Sequence, residues 1–164
     1  MLIKITFTLL LILIALPTKA EETITEEPVS HAEHVLMSHL MSLQAGLAYD
    51  EHCNQSDPEE RLDFEEPENA NLYGSLQVIT QRLDEEMNVN NEDQTPDQSI
   101  EKYLRLTSGT REKILESYKI YNCDNQNGRN GEQSFNLYFN THPSQIYMMI
   151  DEQIKNDNKA DKPE

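Results

Sequence analysis

Leu36, Leu40, Leu43 and Leu47 recur at steps of four, three and four residues, and Leu72, Leu76, Ile79 and Leu83 repeat the same rhythm. Those steps put large apolar side chains on one face of an α-helix, whereas a strand would scatter them over both of its faces. A chain with two such stripes has to bury them against each other and against further helices. The fold class it predicts is all-α, with helices over 29–50 and 69–87.

A third helix, over 95–123, is announced by its start. Thr95-Pro96-Asp97-Gln98 places a threonine at the N-cap, proline in the first turn and glutamine where a capping box wants it, before Ile100, Leu104, Ile114, Tyr118 and Tyr121. Gly109 weakens it midway by about 1 kcal/mol relative to alanine. Ile146, Met149, Ile150 and Ile154 mark a short last helix over 143–154. Between these two, Asp124 to Gln133 (DNQNGRNGEQ) reads as a turn-rich loop. The alternation of Phe135, Leu137 and Phe139 reads as an extended segment over 134–139.

The chain holds two cysteines, Cys53 and Cys123, at the ends of the first and third helices. Three consecutive helices with modest connections pack most simply up, down, up. In that arrangement the first and third run parallel, and their C-terminal ends meet. The layout therefore predicts a small bundle of three main helices plus a short C-terminal one, pinned by a Cys53–Cys123 disulfide. A thiol redox site would need a Cys-x-x-Cys pair or a tuned thiolate, and the sequence offers neither.

A disulfide needs an oxidising compartment, and residues 1–20 address one. Lys4 precedes an apolar run from Ile5 to Leu16, Pro17 breaks it, and Thr18 and Ala20 set small residues at the cleavage positions. The run falls short of the roughly 20 residues that span a bilayer. The expected product is exported, periplasmic or secreted, with no membrane anchor after cleavage. It comprises an acidic flexible lead-in at 21–28, a single helical domain at 29–155 and a disordered tail at 156–164.

The chain carries 13 Lys and Arg against 30 Asp and Glu, a formal charge of −17, and loss of Lys4 and Lys19 with the leader makes it more negative. Such a field repels nucleic acid and favours a basic partner. The densest run, Asp57 to Glu68, has seven carboxylates and only Arg61 to offset them. Leu62 and Phe64 set apolar anchors among Asp63, Glu65 and Glu66, which makes this stretch the candidate epitope for a protein partner.

Other residues suggest weaker chemistry. Thr107 and Arg111 interrupt the apolar seam of the third helix, so Arg111 reaches the surface, pairs with a carboxylate, or receives an anionic ligand. His31 and His34, near Glu27 and Glu33, form a two-histidine approach to a metal without the His-Glu-x-x-His spacing. His39 flanks the leucine stripe as a packing residue, and His142 has no evident partner. The loop after Cys123 fails as a calcium site, because a register that seats Gly128 puts Cys123 and Ser134 at the carboxylate positions. No cofactor motif, nucleophile elbow or phosphate loop is present. The expectation is an exported acidic binding protein that inhibits or neutralises a protein partner. The alternative is a ligand- or metal-binding carrier; nothing in the sequence marks an enzyme.

Overall fold

The computed structural model of the chain describes residues 29–88, 94–121 and 123–160. The leader at 1–20, the lead-in at 21–28, residues 89–93 and 122, and the end of the tail at 161–164 lie outside the described residues. The first helix, α1 (His31–Cys53), starts where the Ser30 hydroxyl accepts the Glu33 N–H at 3.0 Å. It is followed by a single turn α2 (Pro58–Arg61), a 3₁₀ turn (Pro67–Asn69) and α3 (Ala70–Glu86). Helix α4 (Pro96–Tyr121) opens with the anticipated reciprocal cap: Gln98 accepts from the Thr95 N–H at 2.9 Å, and Thr95 accepts from the Gln98 N–H at 3.3 Å. Helices α5 (Gln126–Asn140) and α6 (Pro143–Ala160) complete the all-α chain.

Side-chain pairs set the directions. Gln44 meets Thr107, Glu51 meets Arg111 and Cys53 joins Cys123, so α1 and α4 run parallel. Ser30 reaches Glu86 while Asp50 is tied through Arg61 to Asn69, so α3 runs the other way. This is the up-down-up arrangement, and the disulfide closes it with the two Cα atoms 5.9 Å apart. No helix among the described residues is long and apolar enough to cross a membrane.

Both repeated stripes are buried. Leu36, Leu40 and Leu43 of α1 pack with Leu72, Leu76, Ile79 and Leu83 of α3, all without exposure to solvent. Each such side chain contributes about 1.5–3 kcal/mol when removed from water. Helix α1 buries more than its stripe, because Val35, Gln44, Gly46, Ala48 and Asp50 are also enclosed. It is the hub on which α3, α4, α5 and α6 all pack.

Two expectations require correction. The loop at 124–133 and the extended segment at 134–139 are the single helix α5. Phe135 and Phe139 sit one turn apart and stack at 4.3 Å, and Tyr138 joins Phe139 in the core. The glycines that suggested turns are contact points. A Cβ on Gly128 would lie 1.7 Å from the Cys123 carbonyl oxygen, and one on Gly131 would lie 2.2 Å from the Tyr118 hydroxyl. The Asn125 side chain starts the helix by accepting the Gly128 N–H at 2.9 Å. The other correction concerns the tail: α6 does not end at Ile154 but runs on to Ala160. Asp151 and Lys155 pair across one of its turns, and a formed helix extends at little cost per residue. His142 does find a partner, since its Nδ1 accepts the Ser144 N–H at 3.2 Å where α6 begins.

Candidate functional site

The acidic stretch from Asp57 to Glu68 is a built loop whose anchor lies inside the bundle. Asp50, on α1, has a side chain only 2% exposed. It accepts hydrogen bonds from Arg61 Nε and from the Asn54 amide, both at 2.8 Å. The guanidinium also donates to Asn69 Oδ1 at 3.3 Å and lies 5.5 Å from the centre of the Phe139 ring. Asn69, fully buried, turns its amide back to the carbonyls of Glu60 at 2.9 Å and Asp63 at 2.8 Å. The lone cation of the run therefore offsets a buried carboxylate instead of the loop's own surface charge. Asp57 and Asp63 hold local turns by accepting the N–H groups of Glu59 and Glu65.

This lock leaves Asp63, Glu65 and Glu66 exposed and folds Leu62 and Phe64 half inward against the core. Phe64 packs on Tyr73 at 5.0 Å, and the Tyr73 hydroxyl donates to Asp97 at 2.9 Å. That bond, reinforced by burial and by the Asp97 charge, raises the Tyr73 pKa above the ordinary tyrosine value. Between the loop and α4 lies a groove of about 330 Å³. Leu62 and Phe64 form one wall, buried Ile100 and half-buried Leu104 the other, and Asp97, Glu101 and Arg105 stand along the edge. Of the five residues singled out as an epitope, Leu62 and Phe64 form one side of a groove whose other side α4 supplies, and Asp63, Glu65 and Glu66 are exposed beside them in the chain.

The remaining candidates are placed differently. Arg111 holds Glu51 through Nη2 at 2.6 Å and Nε at 3.1 Å, with 19% of its side chain exposed. The crevice that it lines with Leu47, Asp50 and Arg61 has no room for a water-sized guest. Thr107 is buried, donating to the Tyr103 carbonyl and accepting from the Gln44 amide, each at 2.8 Å. His34 is exposed and His31 half-buried, while Glu27 is outside the described residues. Among the described residues no three His, Cys, Asp or Glu side chains gather into a metal-binding set.

Two polar clusters escaped the sequence reading. His39 bridges three helices, with Nδ1 2.9 Å from the Tyr138 hydroxyl and Nε2 3.0 Å from Gln153. Burial lowers its pKa, against a smaller upward pull from Gln153, and burial pushes the Tyr138 hydroxyl up to about 12. Asp84 accepts from Ser99, from Tyr103 at 2.8 Å and from Lys102 at 3.0 Å. Burial raises its pKa, but the three donors together outweigh burial and hold it below the usual carboxylate range. A cleft of about 360 Å³ is lined by Asp84 together with Gln77, Gln81 and Gln94. The carboxylate there holds α3 on α4 through Ser99, Lys102 and Tyr103. Comparison with protein-family models, with curated proteins and with solved structures finds no match to this chain.

Proposed function

We infer that this chain is an exported binding protein whose acidic face, centred on the groove between the 57–68 loop and α4, takes a basic protein partner. The observation that carries the reading is the groove: apolar walls from Leu62, Phe64, Ile100 and Leu104 edged by Asp97, Glu101 and Arg105, on a loop that also exposes Asp63, Glu65 and Glu66. An apolar pocket ringed by charge is how protein interfaces combine affinity with partner choice, the pocket desolvating an anchor and the rim selecting charge. The Asp50–Arg61–Asn69 lock supports the reading, because a loop held in shape before binding loses less entropy on complex formation. The net charge of −17 would speed encounter with a cationic surface. Occupying such a surface would block it, a neutralising or inhibitory role. Export rests on the leader, and the disulfide is compatible with it.

The test places a photo-cross-linking amino acid at Phe64, and separately at Glu116 on the exposed part of α4, and irradiates the native exported fraction. One adduct should form from position 64 and not from 116, and it should fade in high salt and when Asp63, Glu65 and Glu66 are changed to lysine. No adduct from position 64, or one indifferent to charge reversal, sinks the reading.

A further inference from the structure

The groove's edge has a polarity. Asp97, Glu101 and Arg105 follow one another at steps of four residues, so they stand in line along one face of α4, two negative charges followed by a positive one. The negative end is also where Phe64 and Tyr73 meet Asp97. The volume, about 330 Å³, lies at the lower limit of ligand sites, which run from about 300 to 1,000 Å³. It suits one large side chain better than a cofactor. The carboxylates at its border disfavour anionic guests such as fatty acids.

We propose that the occupant is a segment of another polypeptide with one large apolar side chain seated among Leu62, Phe64, Ile100 and Leu104, a cationic residue beside Asp97 and Glu101, and an acidic residue beside Arg105. This rests on the acidic-face reading and goes beyond it by naming the order of charges. The apolar anchor supplies most of the affinity, since desolvated pocket residues dominate interfaces. The rim pairs, exposed to water, choose between partners at about 0.2–1 kcal/mol each.

Four helical peptides serve as probes, differing only in the three positions at issue: Lys–Leu–Glu, Lys–Leu–Lys, Glu–Leu–Glu and Lys–Ala–Glu. They are titrated into the full exported chain, disulfide intact, while the NMR signals of Leu62, Phe64 and Leu104 are followed. Lys–Leu–Glu should move those signals, bind about two- to five-fold more tightly than Lys–Leu–Lys, and lose about ten-fold or more when leucine becomes alanine. Arg105→Glu, an exposed change, should reverse the preference between Lys–Leu–Glu and Lys–Leu–Lys. Equal binding of these two with no effect of Arg105→Glu overturns the polarity while the acidic face stands. Equal binding of Glu–Leu–Glu overturns the cationic requirement. Decanol displacing Lys–Leu–Glu at comparable concentration identifies a site for small hydrophobes and overturns the polypeptide occupant. If no peptide moves the groove signals, the inference fails, and the cross-link from position 64 decides separately whether the acidic-face reading survives.

Discussion

On the side of α1 that faces α5, helix meets helix through missing side chains. A Cβ on Gly46 would lie 2.8 Å from the Phe135 backbone nitrogen, and Gly131 brings α5 against Tyr49 and Ala45. On the side that faces α4, contact is made by polar groups that need one another. The Gln44 amide donates to Thr107 at 2.8 Å and to the Leu104 carbonyl at 3.1 Å, Arg111 grips Glu51, and the disulfide fastens the end. The first contact depends on shape and tolerates no added atom. The second depends on paired donors and acceptors and fails when one partner is removed. A single helix can thus be enclosed on several faces without being apolar all round, because close approach and satisfied polarity each replace part of an apolar face.

The largest test removes the fastening on the α4 side. Cys53→Ser with Cys123→Ser should cost about 4 kcal/mol, read as a lower urea midpoint. Amide exchange should rise first at the end of α1 and in the turn after Cys123; earlier opening of the α1–α5 contact would break the comparison. Next comes the α5 side. Gly46→Ala should destabilise by about 1–3 kcal/mol, although alanine is the better helix former. The same change at Gly109, where nothing lies within 4 Å of the new methyl, should stabilise by up to about 1 kcal/mol. Equal effects at the two sites in thermal melts would refute the close-contact account.

Thr107→Val keeps the shape and removes the hydroxyl. A loss of about 1 kcal/mol is expected, since Gln44 retains the Leu104 carbonyl, and no loss at all would mean that the polar contact contributes only shape. The smallest effect belongs to His39. Its folded pKa is lowered by burial, so the unfolded chain takes up the proton more readily. The neutral form's contribution is present above the ordinary histidine pKa of about 6.5 and is lost as pH falls from there toward the folded value. Urea midpoints at neutral and mildly acidic pH should therefore drop less in His39→Asn than in the parent protein; an unchanged drop would remove His39 from the acid response.

Much of the frame could be read from residues alone. The stripes of α1 and α3, the Thr95–Gln98 cap and the pairing of Cys53 with Cys123 each depend on spacing within a helix or on the direction of successive helices. The candidate site was half legible. Leu62 and Phe64 stood out because apolar residues are conspicuous in an acidic run, but Ile100 and Leu104, which complete the groove, looked like ordinary members of a helical stripe. Asp50, Arg61 and Asn69 were hidden for a different reason: each is a common surface residue type, and only contact across 8 to 11 positions shows that they are a buried lock. The misreading of α5 came from glycine itself, which serves a turn and a close helix crossing equally well.

What the sequence by itself determined is the all-α class, the starts of α1, α3, α4 and α6, and the disulfide that orients two of them. The first two follow from periodicity and capping, which act between residues a few positions apart, and the disulfide follows from the direction of successive helices. The tertiary structure alone decided that α1 is the hub, that Gly46, Gly128 and Gly131 are contacts, that Arg111 belongs to Glu51, and that an acidic loop and a distant helix enclose one apolar groove. Those outcomes turn on distances between atoms far apart in the chain, and packing sets such distances only when every helix is in place.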